Sequence, residues 1–207
     1  MSSINHSTPL HLEVIELLKD LIATPSFSKE EERTAALIKD FLLTHGIKAE
    51  QHLNNVYARN KYYAAEKPTL LLNSHHDTVK PNKGYTLDPF QPIVRDEKLY
   101  GLGSNDAGGC LMALLAAFIH YYDKTDLAYN IVFAATAEEE ISGHNGIECL
   151  LPKLGNIDCA IVGEPTQMHM AVAEKGLLVL DAVAKGIAGH AARQEGVNAL
   201  YIAMDDI

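Results

Sequence analysis

An α/β layer fold with a largely parallel sheet is predicted by two features of the sequence. Short apolar runs alternate with stretches of helical period, and acidic or histidine-bearing motifs stand directly behind those runs. With 207 residues, of which 47% are hydrophobic, the chain can bury a full core, so the pattern is that of a folded protein.

Residues 10–22 place Leu12, Ile15, Leu18, Leu21 and Ile22 at three- and four-residue steps, the period of a helix with one buried face, and Pro25 closes it. Ser28 and Glu31 have capping-box spacing ahead of a second helix that carries Ala35, Leu37, Ile38, Phe41 and Leu42 and stops at Gly46. A strand is expected within 48–60, followed by strands at 69–73, 130–135 and 159–163, with a helix over 106–121. From Gly176 the character changes: a strand over 177–184 and a helix over 197–207 read as the start of a second domain, which divides the chain into 1–175 and 176–207.

The formal net charge of -10 and a sequence pI near 5.4 argue against nucleic acid, which needs clustered Lys and Arg. Cys110, Cys149 and Cys159 are odd in number and widely spaced, so neither a disulfide framework nor a CxxC knuckle follows, and a reducing cytoplasm is the expected compartment. The amino end lacks a basic segment followed by an apolar one, and no apolar run is long enough to span a bilayer, so no membrane partner is expected.

Chemistry is carried by five short motifs. His75-His76-Asp77 follows a strand, and residues two apart on an extended chain share a side. His75 and Asp77 therefore project together, which suits a metal-ligating imidazole whose second nitrogen is held by a carboxylate, although a surface turn has the same pattern. The Gly-rich run from Gly101 to Gly109 has Asp106 where a dinucleotide loop needs its third glycine, so it either delivers that carboxylate to a buried point or uses it as a helix N-cap. Glu138-Glu139-Glu140 closes another strand; acid runs usually face solvent, but three carboxylates at a strand end are also what a dication would gather. Glu164, in Gly163-Glu164-Pro165-Thr166, ends the next strand, and there it either caps a turn or joins the others. His190 stands on a loop of the second domain, alone no more than a surface histidine.

Each motif is weak by itself, but four of them bring carboxylate or imidazole to strand ends of one sheet, where such sheets carry their ligands, and together they imply a metal centre. A set rich in carboxylate, with little histidine and no thiolate, excludes a structural zinc finger and fits hydrolytic Zn, Co or Mn. Two such ions roughly 3.5–4 Å apart could share and acidify one water.

The blocks Ser74–Val79, Gly101–Asp106, Ala137–Glu140, Val162–Thr166 and Gly186–His190, in that order, resemble the co-catalytic zinc deacylases and exopeptidases, a family that includes acetylornithine deacetylase and succinyl-diaminopimelate desuccinylase. The resemblance implies a three-layer sheet of the zinc-exopeptidase type, with an inserted α+β lid and dimerisation domain beginning near residue 176. It implies two divalent ions, Zn first, with His75 and Glu164 on one, Glu140 on the other and Asp106 bridging both. Glu139 would be the general base, Asp77 would orient His75, and His190 would reach a neighbouring subunit's site in a homodimer.

The implied reaction is hydrolysis of an N-acyl amino acid, N-acetylornithine or N-succinylornithine, in arginine biosynthesis. The alternatives are an exopeptidase acting on dipeptides and an inactive metal-binding fragment. Two blocks depart from the family's pattern: Glu138 stands where Asp is usual, and Ala191-Ala192-Arg193-Gln194 replaces a Ser-Ser segment with Pro. The family's last histidine ligand for the second ion is expected beyond residue 207.

Overall fold

The computed structural model describes residues 9–205, apart from 174, 177, 179, 191 and 194. It divides into two compact units, Met1–Met168 and His169–Ile207.

In the first unit, helices α1 (Leu10–Ile22) and α2 (Glu32–Thr44) lead into a hairpin of β1 (Glu50–His52) and β2 (Asn55–Arg59). Strand β3 (Thr69–His75) is followed by a small ribbon, β4 (Ile93–Arg95) with β5 (Lys98–Tyr100), a π-helical turn at Ser104–Gly109, and α3 (Cys110–Tyr121). Then come β6 (Asn130–Thr136), a 3-10 turn at Glu139–Ile141, α4 (Ile147–Leu154) and β7 (Cys159–Val162).

The main sheet has the order β1-β2-β6-β3-β7. β3 runs parallel to both β6 and β7, whereas β2 is antiparallel to β6 and β1 to β2. The sheet is therefore mixed rather than largely parallel. An apolar run does not encode strand direction, and the 48–60 segment, expected as one strand, turns at Leu53-Asn54 into a hairpin whose second arm sets the antiparallel half.

Side chains of alternate strand residues build two cores, as the two-residue period requires. Val56, Ala58, Leu72, Ile131, Phe133 and Ala135 pack with α1, α2 and α3 in one cluster. Tyr57, Leu71, Val132 and Ala134 pack with Leu150 and Leu154 of α4 in the other. Helices thus cover both faces, giving three layers, and β6, buried along its whole length, is the centre of the packing.

The buried stripe of α1 is Val14, Leu17, Leu18, Leu21 and Ile22, while Leu12 and Ile15 are exposed. Two overlapping sets of apolar residues satisfy the helical period here, and the face meeting α3 is displaced from the expected one. The capping box is also absent: the Ser28 hydroxyl donates to Asp77, and the Glu31 carboxylate accepts from Lys29 N, Asn54 Nδ2 and Glu138 N, none of them a reciprocal cap. One neighbouring amide and two donors from distant chain occupy the Glu31 carboxylate in place of the reciprocal pairing. Helix α3 begins at Cys110, later than expected, because the preceding residues form the π-helical turn.

The second unit contains α5 (Ala199–Asp205) and an isolated antiparallel bridge between Ile187 and Val197. Of the strand expected over 177–184, Leu177 and Val179 lie outside the described residues; the others form no strand. The helix expected over 197–207 is shorter at its start, and Asp206 and Ile207 lie outside the described residues. Among the described residues no helix is long and apolar enough to cross a membrane.

Candidate metal centre

The parallel strands β3, β6 and β7 end side by side, and each delivers an acidic or imidazole group at its carboxyl end. β3 ends on His75, which is 1% exposed. Its Nδ1 donates to the main-chain oxygen of Asp77 at 3.0 Å and lies 3.3 Å from Asp77 Oδ1, which leaves Nε2 facing outward. Around Nε2 stand Asp106 Oδ1 at 3.2 Å, Glu139 Oε2 at 3.7 Å and Glu164 Oε1 at 3.8 Å.

His76 points the opposite way, as strand alternation requires. Its Nδ1 meets the Thr34 hydroxyl at 2.9 Å and its Nε2 the Asn54 carbonyl at 3.0 Å. Burial holds its pKa down to about 4, so it is a neutral core histidine.

Asp106 sits within the π-helical turn, in non-helical conformation, and makes its hydrogen bond to His75 rather than to a helix start. The N-cap role left open above is therefore not taken up; α3 starts from Gly109, with no side-chain cap. A Cβ on Gly108 would collide with the Gly103 carbonyl and Leu18, so glycine lets the turn fold back and present Asp106. Glycine at 163 has the same use: a Cβ there would press on Leu114, Cys110 and Ser74, and the Ser74 hydroxyl instead donates to Gly163 O at 2.8 Å. That contact draws the β7 end against β3 and brings Glu164 to His75.

Asp77, fully buried, gathers more than its sequence position suggests. Besides His75 it accepts the Ser28 hydroxyl at 2.7 Å and the backbone N–H groups of Glu139 at 3.1 Å and Glu140 at 3.2 Å. Neither partnership is legible in sequence, since Ser28 lies 49 residues away and residue type does not mark where a main-chain N–H will point.

Of the acidic triplet, Glu139 is half-exposed and Glu140 partly buried. Glu138 turns inward, its carboxylate accepting from Asn145 Nδ2 at 2.9 Å. The departure at this position thus lies away from the His75 cluster.

Among the described residues, two groups have one donor atom from each residue within 4.8 Å of the others: His75 with Asp106 and Glu140, and His75 with Glu139 and Glu164. The partition differs from the expected pairing of His75 with Glu164 and Asp106, and Glu139 stands as close to the imidazole as Glu164 does. His190 belongs to the second unit, where it is exposed and its Nδ1 accepts from Ala192 N. Cys110, Cys149 and Cys159 are free thiols.

The electrostatics are those of a cation site. Burial alone would lower the His75 pKa, but the Asp77 hydrogen bond and charge, joined by Glu164 and Glu139, raise it to about 9. Burial, reinforced by Asp106, raises Glu140. Burial also raises Glu164, where the attraction of His75 is opposed by Glu139, Asp106 and Glu140. Four carboxylates facing one imidazole exceed what a single imidazolium can neutralise, and a set of oxygens with one imidazole nitrogen suits divalent Zn, Co or Mn.

The layered α/β architecture, with this cluster of candidate metal ligands at the carboxyl edge of its sheet, defines the class of fold and site. The chain belongs to Peptidase family M20/M25/M40, whose profile matches residues 71–188, more than half of its length. Among its curated relatives, a protein named succinyl-diaminopimelate desuccinylase from Rickettsia bellii is 30% identical over 201 residues, covering 87% of this chain and 51% of the relative. One of the same name from Nitrosococcus oceani is 33% identical over 196 residues, covering 86% and 51%. The solved structure of an M20 family metallo-carboxypeptidase, Sso-CP2 from Sulfolobus solfataricus, superposes with a TM-score of 0.61 at 28% identity, over 73% of this chain and 37% of that one. The chain spans about half the length of the curated relatives it matches.

Proposed function

We propose that this chain carries the metal-binding core of an enzyme that hydrolyses the amide bond of an N-acyl amino acid. The observation that carries the reading is the convergence of Asp106, Glu139, Glu140 and Glu164 on a single buried imidazole, in a chain of this family. The substrate class is an N-acylated diamino acid. N-acetylornithine or N-succinylornithine, and with them a place in arginine biosynthesis, remain the reading of the sequence blocks, and the desuccinylases named above act, by name, on a compound of the same class.

His75, Asp106, Glu140 and Glu164 would hold two divalent ions, Zn first and Co or Mn as alternatives, with Asp106 shared. When bound, the cations polarise the amide carbonyl and acidify water. Glu139 takes the proton of the attacking water and returns it to the amide nitrogen as the C–N bond breaks, so that carboxylate and free amine leave. Asp77 fixes the tautomer of His75 by holding Nδ1–H and leaving Nε2 as the ligand.

The segment from residue 176 is assigned to a lid and dimerisation domain in which His190 stabilises the oxyanion in a partner's site. The assembly is a homodimer in the cytoplasm.

A second reading, exopeptidase action on dipeptides, is favoured by the likeness to the metallo-carboxypeptidase. Rates of the full-length protein on N-acetylornithine, N-succinylornithine, N-succinyl-diaminopimelate and simple dipeptides separate the two. A higher kcat/KM on the acyl diamino acids supports the deacylase; preference for dipeptides overturns it.

A further inference from the structure

The backbone amides of the acidic triplet are all tied to buried carboxylates. Glu139 N–H and Glu140 N–H donate to Asp77, and Glu138 N–H donates to Glu31 Oε1 at 3.2 Å, across 107 residues of sequence. Glu31 is 0% exposed. Its Oε1 also accepts Lys29 N–H at 2.7 Å, and its Oε2 accepts Asn54 Nδ2 at 2.8 Å. No part of the proposed chemistry uses this side chain.

Burying an ionised carboxylate is costly unless donors compensate it, and the start of a helix does not need one. What needs it is the turn. Glu138 has φ 55° and ψ 23°, the left-handed region that non-glycine residues seldom adopt and that persists where the surroundings over-determine it. Here the residue is held at its amide by Glu31 and at its side chain by Asn145. The next residue is Glu139, whose Oε2 stands 3.7 Å from His75 Nε2.

We infer that Glu31 is a positioning residue for the base: by accepting the Glu138 N–H it keeps the turn after β6 in the left-handed conformation that aims the Glu139 carboxylate at the reaction centre. The inference rests on the assignment of Glu139 made under the proposed function. Asp77 holds the same turn from the His75 side, and Glu31 holds it from behind.

The test uses the full-length, metal-loaded protein with Glu31→Leu, Glu31→Gln and Asn54→Ala. Glu31→Leu matches the size but accepts nothing; it is expected to lower kcat by about 10–100-fold with KM and bound metal unchanged, because a base displaced by about 1 Å loses rate on that scale. Glu31→Gln keeps one oxygen for Glu138 N–H while the Asn54 amide turns over to face the new NH2 group, and it should recover most of the loss. A merely structural Glu31 would reduce the yield of folded protein and leave kcat per folded molecule alone. Wild-type kcat in the Leu variant, or a Gln variant no better than it, overturns the inference.

Should Glu31→Leu fail to fold, Asn54→Ala removes one donor and is expected to lower kcat several-fold at unchanged KM; an unchanged kcat overturns the inference. Hydrogen exchange of the segment 137–143, faster in Glu31→Leu and Asn54→Ala than in wild type and close to wild type in Glu31→Gln, reads the clamp without turnover. If the wild type hydrolyses no acyl amino acid, the proposed function fails on its own, and equal exchange rates still overturn the inference.

Discussion

Replacing Asp77 by Asn changes one oxygen into an NH2 group and tests how the centre is held together. The wild-type carboxylate accepts Glu139 N–H on Oδ1, where it also faces His75 Nδ1, and accepts Glu140 N–H and the Ser28 hydroxyl on Oδ2. An asparagine NH2 at the Oδ1 position would confront two donors. At the Oδ2 position it confronts one, because the Ser28 hydroxyl can rotate to accept. The second orientation wins and strands the Glu140 N–H in a site where Asp77 is fully buried. One buried unsatisfied donor costs about 1–3 kcal/mol. Loss of the charge behind His75 adds to this at the metal, where a partner of this kind is worth about 10–100-fold in affinity.

The expected result for Asp77→Asn is therefore a midpoint of thermal unfolding several degrees below wild type in the metal-free protein. Competition titration with a chelator should show Zn affinity lower by about 10–100-fold. The His75 pKa in the metal-free protein, followed by NMR, should fall from about 9, since the Asp77 hydrogen bond is the first of the influences that raise it. A variant that unfolds at the wild-type temperature and binds Zn within about twofold of wild type would refute the reasoning, showing that neither the amide contacts nor the carboxylate behind His75 matters.

Three further outcomes are expected. Glu139→Gln should keep its metal but lose about 10²–10⁴-fold in turnover; retention of more than about a tenth of the rate would show that another group is the base. Metal uptake should release a proton from His75, which is charged below about pH 9 in the metal-free protein, so that apparent affinity rises with pH up to that value; calorimetry in buffers of different ionisation enthalpy at neutral pH checks this, and absence of proton release contradicts it. His76 should make the fold acid-sensitive: its folded pKa of about 4 lies below the ordinary 6.5, so its contribution is fully present above pH 6.5 and is lost as pH falls toward 4. Unfolding of His76→Gln followed across that window should show a shallower pH dependence than wild type, and identical slopes would exclude this role.

The site was more legible than the scaffold that aims it. Strand periodicity alone puts His75 and Asp77 on one side of β3 and His76 on the other, and apolar runs locate the ends of β6 and β7, where Glu138–Glu140 and Glu164 stand. Strand direction left no trace, because β2 and β3 carry similar apolar character and only the hairpin turn at Leu53-Asn54 reverses one of them. The Ser28–Glu31 spacing fits a local cap, but the same two side chains are satisfied equally well by partners from distant chain, which the spacing does not reveal. Periodicity likewise could not choose between two apolar stripes of α1, since the choice is made by what the helix packs against.

The distribution of charge explains why so many carboxylates tolerate one another. Asp77 and Glu31 lie behind the centre, fully buried, and each is compensated by hydrogen-bond donors, three of them consecutive amides of Glu138, Glu139 and Glu140. Those amides therefore serve two ends at once, relieving the rear anions and fixing the turn from which the forward carboxylates project. Among the described residues, Asp106, Glu139, Glu140 and Glu164 have no comparable set of amides, and their shared imidazole supplies one positive charge at most. Burial, together with the charge of the neighbouring carboxylates, raises the pKa of both Glu140 and Glu164 above the ordinary carboxylate value. The fold thus separates a rear pair of carboxylates, hydrogen-bonded by the backbone, from the forward set that faces His75, and the division is set by which carboxylates the turn after β6 can reach with its N–H groups.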